Sequence, residues 1–198
     1  MTGRWIAAMA MVALGLVASR ASAGPPTDQV KGYTEQIVKI LDDQAIRDAD
    51  KRAAVRKVAG EVFDVNETAR RALGTHWQRR TPAEREEFVH LFADLLERTY
   101  ISKIGLYGGE RVKYVAEKVD GDFAVVQGRV ITPKGSEIPV DARLLKRGDR
   151  WLIYDVVIEN VSLIQNYRAQ FDRIIRASSF DELIKRLRTR KEESFKSS

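Results

Sequence analysis

Residues 111–158 read RVKYVAEKVDGDFAVVQGRVITPKGSEIPVDARLLKRGDRWLIYDVVI, and this stretch decides the fold. Val112, Tyr114 and Ala116 alternate with charged residues, and Ile138, Val140, Ala142 and Leu144 alternate just as cleanly. A period of two marks strands with one buried face. Asp120-Gly121-Asp122, Pro133-Lys134-Gly135 and Arg147-Gly148-Asp149 interrupt the alternation with turn-forming residues. Four strands are therefore predicted: one from Arg111, one over Phe123 to Thr132, one through Ile138 to Leu144, and one from Trp151 to Ile158 with apolar residues on both faces. Such short turns join consecutive strands into an antiparallel meander.

On either side of the sheet the period becomes helical. Val30, Tyr33, Ile37 and Ile40-Leu41 recur at helical spacing, with Asp28 as the expected cap. Val55, Val58-Ala59 and Val62-Phe63 share a face of a second helix, and Asn66 is expected to cap a third that stops at Leu73-Gly74. Thr81-Pro82-Ala83-Glu84 is a full start signal. Thr81 accepts from the amide of Glu84, Glu84 reaches back to the Thr81 amide, and Pro82 suits the first helical position. The helix it opens carries Phe88, Leu91-Phe92, Leu95-Leu96 and Ile104 along one stripe and is expected to end near Gly105 to Gly109. After the sheet, a helix from about Ser162 carries Ile164, Tyr167, Phe171 and Ile174-Ile175. Ser179-Phe180-Asp181-Glu182 is a second capping box, before Leu183-Ile184 and Leu187. From about Lys191 the chain is polar and expected to fray. No repeat or linker divides it. The expected architecture is a single α+β domain over residues 24–198: a curved antiparallel sheet of about four strands covered by helices.

The first 23 residues are set apart as a leader. Arg4 is followed by the apolar run Ile6 to Val17 and by Ala21-Ser22-Ala23, a small-x-small cleavage site. The run is shorter than the roughly 20 residues a membrane span needs. A cleaved signal peptide and an exported, soluble mature chain are expected. Residues 1–23 hold Arg4 and Arg20 and no acid, so their removal lowers the formal charge from +6 to +4. The remaining basic residues are dispersed among acids, as in Arg85-Glu86-Glu87 and Lys191-Glu192-Glu193. No nucleic-acid partner is expected, and an anionic lipid surface or head group is the better counterpart.

The chemistry-bearing motifs are missing. With no Cys, the chain has no disulfide, no thiol nucleophile and no thiolate zinc site. Neither GxSxG, a P-loop, HExxH nor a GxGxxG opening a helix occurs. Gly105-Leu106-Tyr107-Gly108-Gly109 leads from a helix into a strand, the reverse of a phosphate cradle, and is read as a connection. Glu86 and His90 lie off the apolar stripe as a solvated pair, and His76 is read as a loop residue. Asp141 and Asp155 fall in strands and are candidate buried carboxylates without a partner acid or nucleophile. No catalytic residue, metal or cofactor is assigned. What remains is a large apolar stock: Phe63, Leu73, Trp77, Phe88, Phe92, Leu95, Leu96, Tyr100 and Tyr107 from the helices, and Val125, Leu144, Trp151, Ile153, Val156 and Ile158 from the sheet. Periodicity does not separate residues that line a cavity from residues that fill a core.

Two segments resemble the MlaC (toluene-tolerance) family of periplasmic phospholipid-binding proteins. The first is Leu73-Gly74-Thr75-His76-Trp77, then Thr81-Pro82-Ala83-Glu84-Arg85 and Phe88, then Leu95-Leu96-Glu97-Arg98-Thr99-Tyr100. The second runs from Trp151 through Tyr154-Asp155-Val156-Val157-Ile158 to Val161-Ser162-Leu163 and Asn166-Tyr167-Arg168-Ala169-Gln170-Phe171. One departure is Asn160, where the family usually has Gly. Asn is the non-Gly residue best able to take positive φ, so the turn is expected to survive. Asn166-Tyr167-Arg168 favours the phospholipid branch over a hopanoid-linked one.

The resemblance implies an NTF2-like fold with an apolar cavity between sheet and helices. It also implies a carrier, expected to be monomeric, that shuttles phospholipid between an outer-membrane lipoprotein/porin complex and an inner-membrane ABC transporter complex, touching each transiently. On that basis Phe63, Leu73, Trp77, Phe88, Phe92, Leu95, Leu96, Ile104, Val125, Leu144, Ile153, Val156 and Ile158 are expected around the lipid tails, with Tyr100 and Tyr107 towards the mouth. Arg143, Lys146, Arg150 and Arg168 are candidates for head-group or partner contacts. The alternatives left open are a hopanoid or other apolar-lipid carrier, an adaptor with a filled interior, and a small-substrate enzyme using Asp141 or Asp155.

Overall fold

The chain forms six helices and five strands in a computed structural model that describes residues 25–196, except for the side chains of residues 102–104 and 190–196. The expected leader, the Ile104 side chain and residues 197–198 of the expected tail lie outside the described residues. The helices are α1 (Pro26–Asp42), α2 (Asp48–Val62), α3 (Val65–Leu73) and α4 (Pro82–Tyr100) before the sheet, then α5 (Leu163–Ala177) and α6 (Phe180–Lys196) after it. The strands are β1 (Arg111–Asp120), β2 (Phe123–Ile131), β3 (Glu137–Arg147), β4 (Arg150–Ile158) and β5 (Val161–Ser162). All pair antiparallel in the order β1-β2-β3-β4-β5. The fold is α+β, with the meander the alternation requires.

The expected capping box at Thr81 forms in full. Glu84 N donates to Thr81 Oγ1 at 3.3 Å and Thr81 N to Glu84 Oε2 at 2.6 Å. Removing such a cap costs about 1 kcal/mol. The box at Ser179 forms only halfway: Glu182 N donates to Ser179 Oγ at 3.1 Å, but the Glu182 carboxylate turns to Arg186 at 2.7 Å. At α3 the cap is Asp64 rather than Asn66, with Glu67 N donating to Asp64 Oδ1 at 2.9 Å. Asp64 is held there because its own N–H donates to the Ile153 carbonyl of β4, which starts the helix early. Helix α1 likewise begins at Pro26, with Asp28 in its first turn. Helix α4 ends at Tyr100 and tightens into a 3-10 turn over Ile101–Leu106, so it stops short of the glycines.

The fifth strand has two residues, too few for a period to reveal. Val157 and Ile158 pair with Ser162 and Val161 across a turn in which Glu159 (φ 49°) and Asn160 (φ 66°) are left-handed. The expected accommodation by Asn160 is met. Ser162 then caps α5, accepting from Gln165 N at 3.0 Å. Its hydroxyl also donates to Asp155 Oδ2 at 2.7 Å, and Ile164 N donates to Asp155 Oδ1 at 3.1 Å. Asp155 is thus a buried carboxylate with three partners, Arg143 at 3.2 Å being the third.

The apolar residues form two cores. In one, Leu73, Phe88, Phe92, Ile164, Phe171, Phe180 and Leu183 join α3, α4, α5 and α6. In the other, Val58 and Val62 of α2 meet Ala124, Val126, Leu144, Trp151 and Ile153 of the sheet, with Val30, Tyr33, Ile37 and Ile40 of α1 packed against them. Strand β4 and its flanks join the two, through Phe63 bridging Ile153 and Thr68 Oγ1 donating to the Tyr154 carbonyl at 3.1 Å.

Candidate functional site

Residues directly opposed across antiparallel strands share a face of the sheet, so the register reads out the surface beneath α1 and α2 in four rungs. Val119, Ala124, Leu144 and Ile153 form the first, and Glu117, Val126, Ala142 and Val156 the second. Tyr114, Gly128, Val140 and Ile158 form the third, and Val112, Val130 and Ile138 the fourth. The first rung is sealed at Ala124, Leu144 and Ile153, where α2 covers it and Leu144 is 0% exposed, while Val119 on the edge strand is 49% exposed. The last two are apolar yet partly open: Val130, Ile138, Val140 and Ile158 are half-buried, and Val112 is 37% exposed. Gly128 carries no side chain, which leaves the middle of this open surface low. The Tyr114 hydroxyl is sunk beneath α1, where burial pushes its pKa above the ordinary value. This is an apolar floor only part of which the fold covers.

The residues singled out from the sequence are not gathered on one surface. Leu73, Phe88, Phe92 and Leu95 are buried in the helical core, with Leu96 and Trp77 packed against it. Phe88 stacks on Phe92 at 5.7 Å between ring centroids, and both meet Phe171 edge-on. Leu144, Ile153, Val156 and Phe63 belong to the sheet core, and Ile158 to the open floor. Val125 lies on the opposite face of the sheet, between Lys118 and Arg143. Tyr100 is 41% exposed beside Tyr167, and burial of its hydroxyl raises its pKa to about 12.

The four cations are equally dispersed. Arg143 points to the outer face and is engaged by Asp155. Lys146 lies 5.9 Å from the Trp151 ring centroid. Arg150 donates to the Tyr33 hydroxyl at 3.3 Å and to the Glu61 carbonyl. Arg168 lies across Gly74, where an added Cβ would come within 2.5 Å of its Nε. Among the chemistry candidates, Glu86 and His90 are exposed, Asp141 is half-buried, and His76 Nε2 sits 2.8 Å from Asp172 Oδ1. No group of three or more potential metal ligands occurs among the described residues.

A polar crevice missed by the sequence reading opens at the end of α1. Its volume is about 430 Å³, and it lies between the α1–α2 turn and the glycine-rich loop, lined by Leu41, Asp42, Asp48, Lys51, Arg52 and Tyr107 with Gly105, Gly108 and Gly109. Lys51 Nζ donates to the Leu41 carbonyl at 2.6 Å. Burial and the neighbouring Asp42 carboxylate push the Tyr107 hydroxyl above its usual pKa. Gly108 is steadied by its N–H donating to Glu110 Oε2 at 2.8 Å, and Pro133 of the β2–β3 turn lies beside it. The loop therefore abuts the end of the sheet that carries the open rungs. The glycines were the one signal in the sequence; that α1 and α2 would bring two acids and two bases beside them was not readable from spacing.

Comparison with known proteins places this geometry. The family described as MlaC protein matches residues 31–189. The intermembrane phospholipid transport system binding protein MlaC of Haemophilus influenzae is 23% identical over 122 residues, which are 59% of this chain and 57% of that protein. The match thus spans little more than half of that relative. A phospholipid-binding protein from Ralstonia solanacearum, solved in complex with a phospholipid, superposes with a TM-score of 0.75 at 23% identity, over 85% of this chain and 98% of the other. That likeness supports the fold. The family match extends from α1 into α6, and the chain belongs to the MlaC family.

Proposed function

We propose that this protein is an exported phospholipid carrier that holds acyl chains against the open rungs of its sheet and moves lipid across the periplasm. The observation that carries the reading is the apolar floor of Val112, Val130, Ile138, Val140 and Ile158, which the chain's own helices leave partly uncovered. A soluble domain gains by burying such a surface, and a contiguous apolar opening marks a place for an apolar ligand. Membership of the MlaC family and the phospholipid held by the Ralstonia protein of the same fold support phospholipid as that ligand.

The physics sets the need for a carrier. Each buried methylene contributes about 0.8 kcal/mol, so two acyl chains with about 30 methylenes cost on the order of 20 kcal/mol to expose to water. A protein that substitutes an apolar floor for the bilayer removes that barrier, provided its opening docks on the donor and acceptor complexes. In this reading the partners are an outer-membrane complex and an inner-membrane ABC transporter complex, and the leader directs export. The large aromatic residues of the helical core serve as frame, while Val112, Val130, Ile138, Val140 and Ile158 border the tails. No bond is made or broken.

Native mass spectrometry of the full chain, expressed with its leader and purified without detergent, tests the proposal. A mass increment matching a phospholipid, released on denaturation and identified after organic extraction, is expected. A compact protein that stays ligand-free after incubation with phospholipid vesicles would refute it.

A further inference from the structure

The crevice at the end of α1 holds charged side chains of both signs. Asp42 at the end of α1 and Asp48, Lys51 and Arg52 on the first turns of α2 line one opening of about 430 Å³, so the lining has two formal charges of each sign. A bare phosphate there meets two carboxylates, and a bare cation meets an ammonium and a guanidinium. A ligand carrying both charges is opposed by neither. The Lys51 ammonium is braced on a neutral backbone carbonyl, that of Leu41, rather than on one of the two acids. Gly105 and Gly109 have no heavy atom within 4 Å of where a Cβ would stand, so the loop side is open to an occupant.

The crevice also lies where a tail-bound lipid would present its head. Val112, which begins the open floor, follows Gly109 by three residues, a span of at most about 10 Å. Resting on the carrier reading above, we propose that this crevice receives the head group of the bound lipid and selects a zwitterionic aminophosphodiester over an anionic one. Lys51 and Arg52 take the phosphate, Asp42 and Asp48 take the ammonium, and Tyr107 forms a wall.

The test loads the full chain by exchange with vesicles of equimolar phosphatidylethanolamine and phosphatidylglycerol, then extracts and quantifies the bound lipid. Enrichment of phosphatidylethanolamine by threefold or more is expected. The Asp42→Asn/Asp48→Asn variant should lose that enrichment, with total lipid per protein measured alongside. Both acids are exposed, so folding should survive, with a thermal melt as control. Bound lipid that mirrors the vesicles, or enrichment the double variant retains, overturns the assignment while leaving the carrier intact. A protein that takes up no lipid removes the carrier reading itself. A second arm offers glycerophosphoethanolamine, the head group without chains, to lipid-free protein in a calorimeter. No saturable binding is expected in the millimolar range, and tight binding would reassign the crevice to a soluble aminophosphate.

Discussion

The two cores of this protein use the same residue types to opposite ends. In the helical core, Phe88, Phe92 and Leu73 are at most 1% exposed, and four aromatic rings interlock at 5.3–6.4 Å. In the sheet core, complete burial at Leu144 gives way within two rungs to half-buried Val140 and Ile158, and the edge strand β1 is exposed at both Val119 and Val112. One core is closed on itself by four helices, whereas the other is a sheet that two helices only partly roof. A closed core supplies stability and little else. A half-roofed one keeps apolar surface in reserve for a ligand.

Ranked by effect on stability, the first way to break this contrast is Phe88→Ala. It should cost about 3–5 kcal/mol, since a fully buried aromatic leaves a cavity that its neighbours cannot fill. Denaturant unfolding measures the loss, and the surviving folded fraction should still carry lipid. A small loss would mean that the helical core is no more closed than the sheet.

The next effect is electrostatic, at the seam between the regions. Glu67 is buried at the start of α3, and the hydrogen bond from Arg70 at 2.6 Å, with Arg71 also at 2.6 Å, lowers its pKa below the ordinary 4.5. A depressed folded-state pKa contributes stability that is present above the unfolded value and lost as pH falls through the folded one. Unfolding free energy should therefore decline below about pH 4.5, and Glu67→Gln should flatten part of that decline. Parallel pH profiles of the two proteins would show otherwise. A smaller effect, about 1 kcal/mol, is expected from Thr81→Ala, which removes the α4 cap; thermal denaturation reads it directly.

The smallest effect on stability should accompany the largest on loading. Val130→Glu/Ile138→Lys places a pair of opposite charges on half-buried, directly opposed positions of the open floor, so stability should move by about 1 kcal/mol or less. Bound phospholipid should nevertheless fall at least tenfold by native mass spectrometry. Retained lipid would move the tails off these rungs and sharpen the question of where they lie.

Much of this was readable in the residues. The alternation over 111–158 specified all four long strands and their order, because a period of two cannot be satisfied by a helix and turns this short permit only antiparallel neighbours. Thr81-Pro82-Ala83-Glu84 specified the start of α4, and Asn160 took the positive φ expected of it. The paired segments around Trp77 and Asn166 pointed to the family. Local chemistry acts within a turn or a strand pair, so the amino-acid order alone determined these features. Tertiary structure decided the rest. Asp64 displaced Asn66 as a cap because a strand elsewhere in the chain claims its backbone. The apolar stripe of α4, expected around a cavity, is packed into other helices. The open floor emerges from Val112, Val130, Ile138, Val140 and Ile158, whose alternation is no different from that of their sealed neighbours. An apolar side chain carries its preference for burial wherever it stands, but whether a helix, a ligand or water covers it depends on where distant elements come to rest.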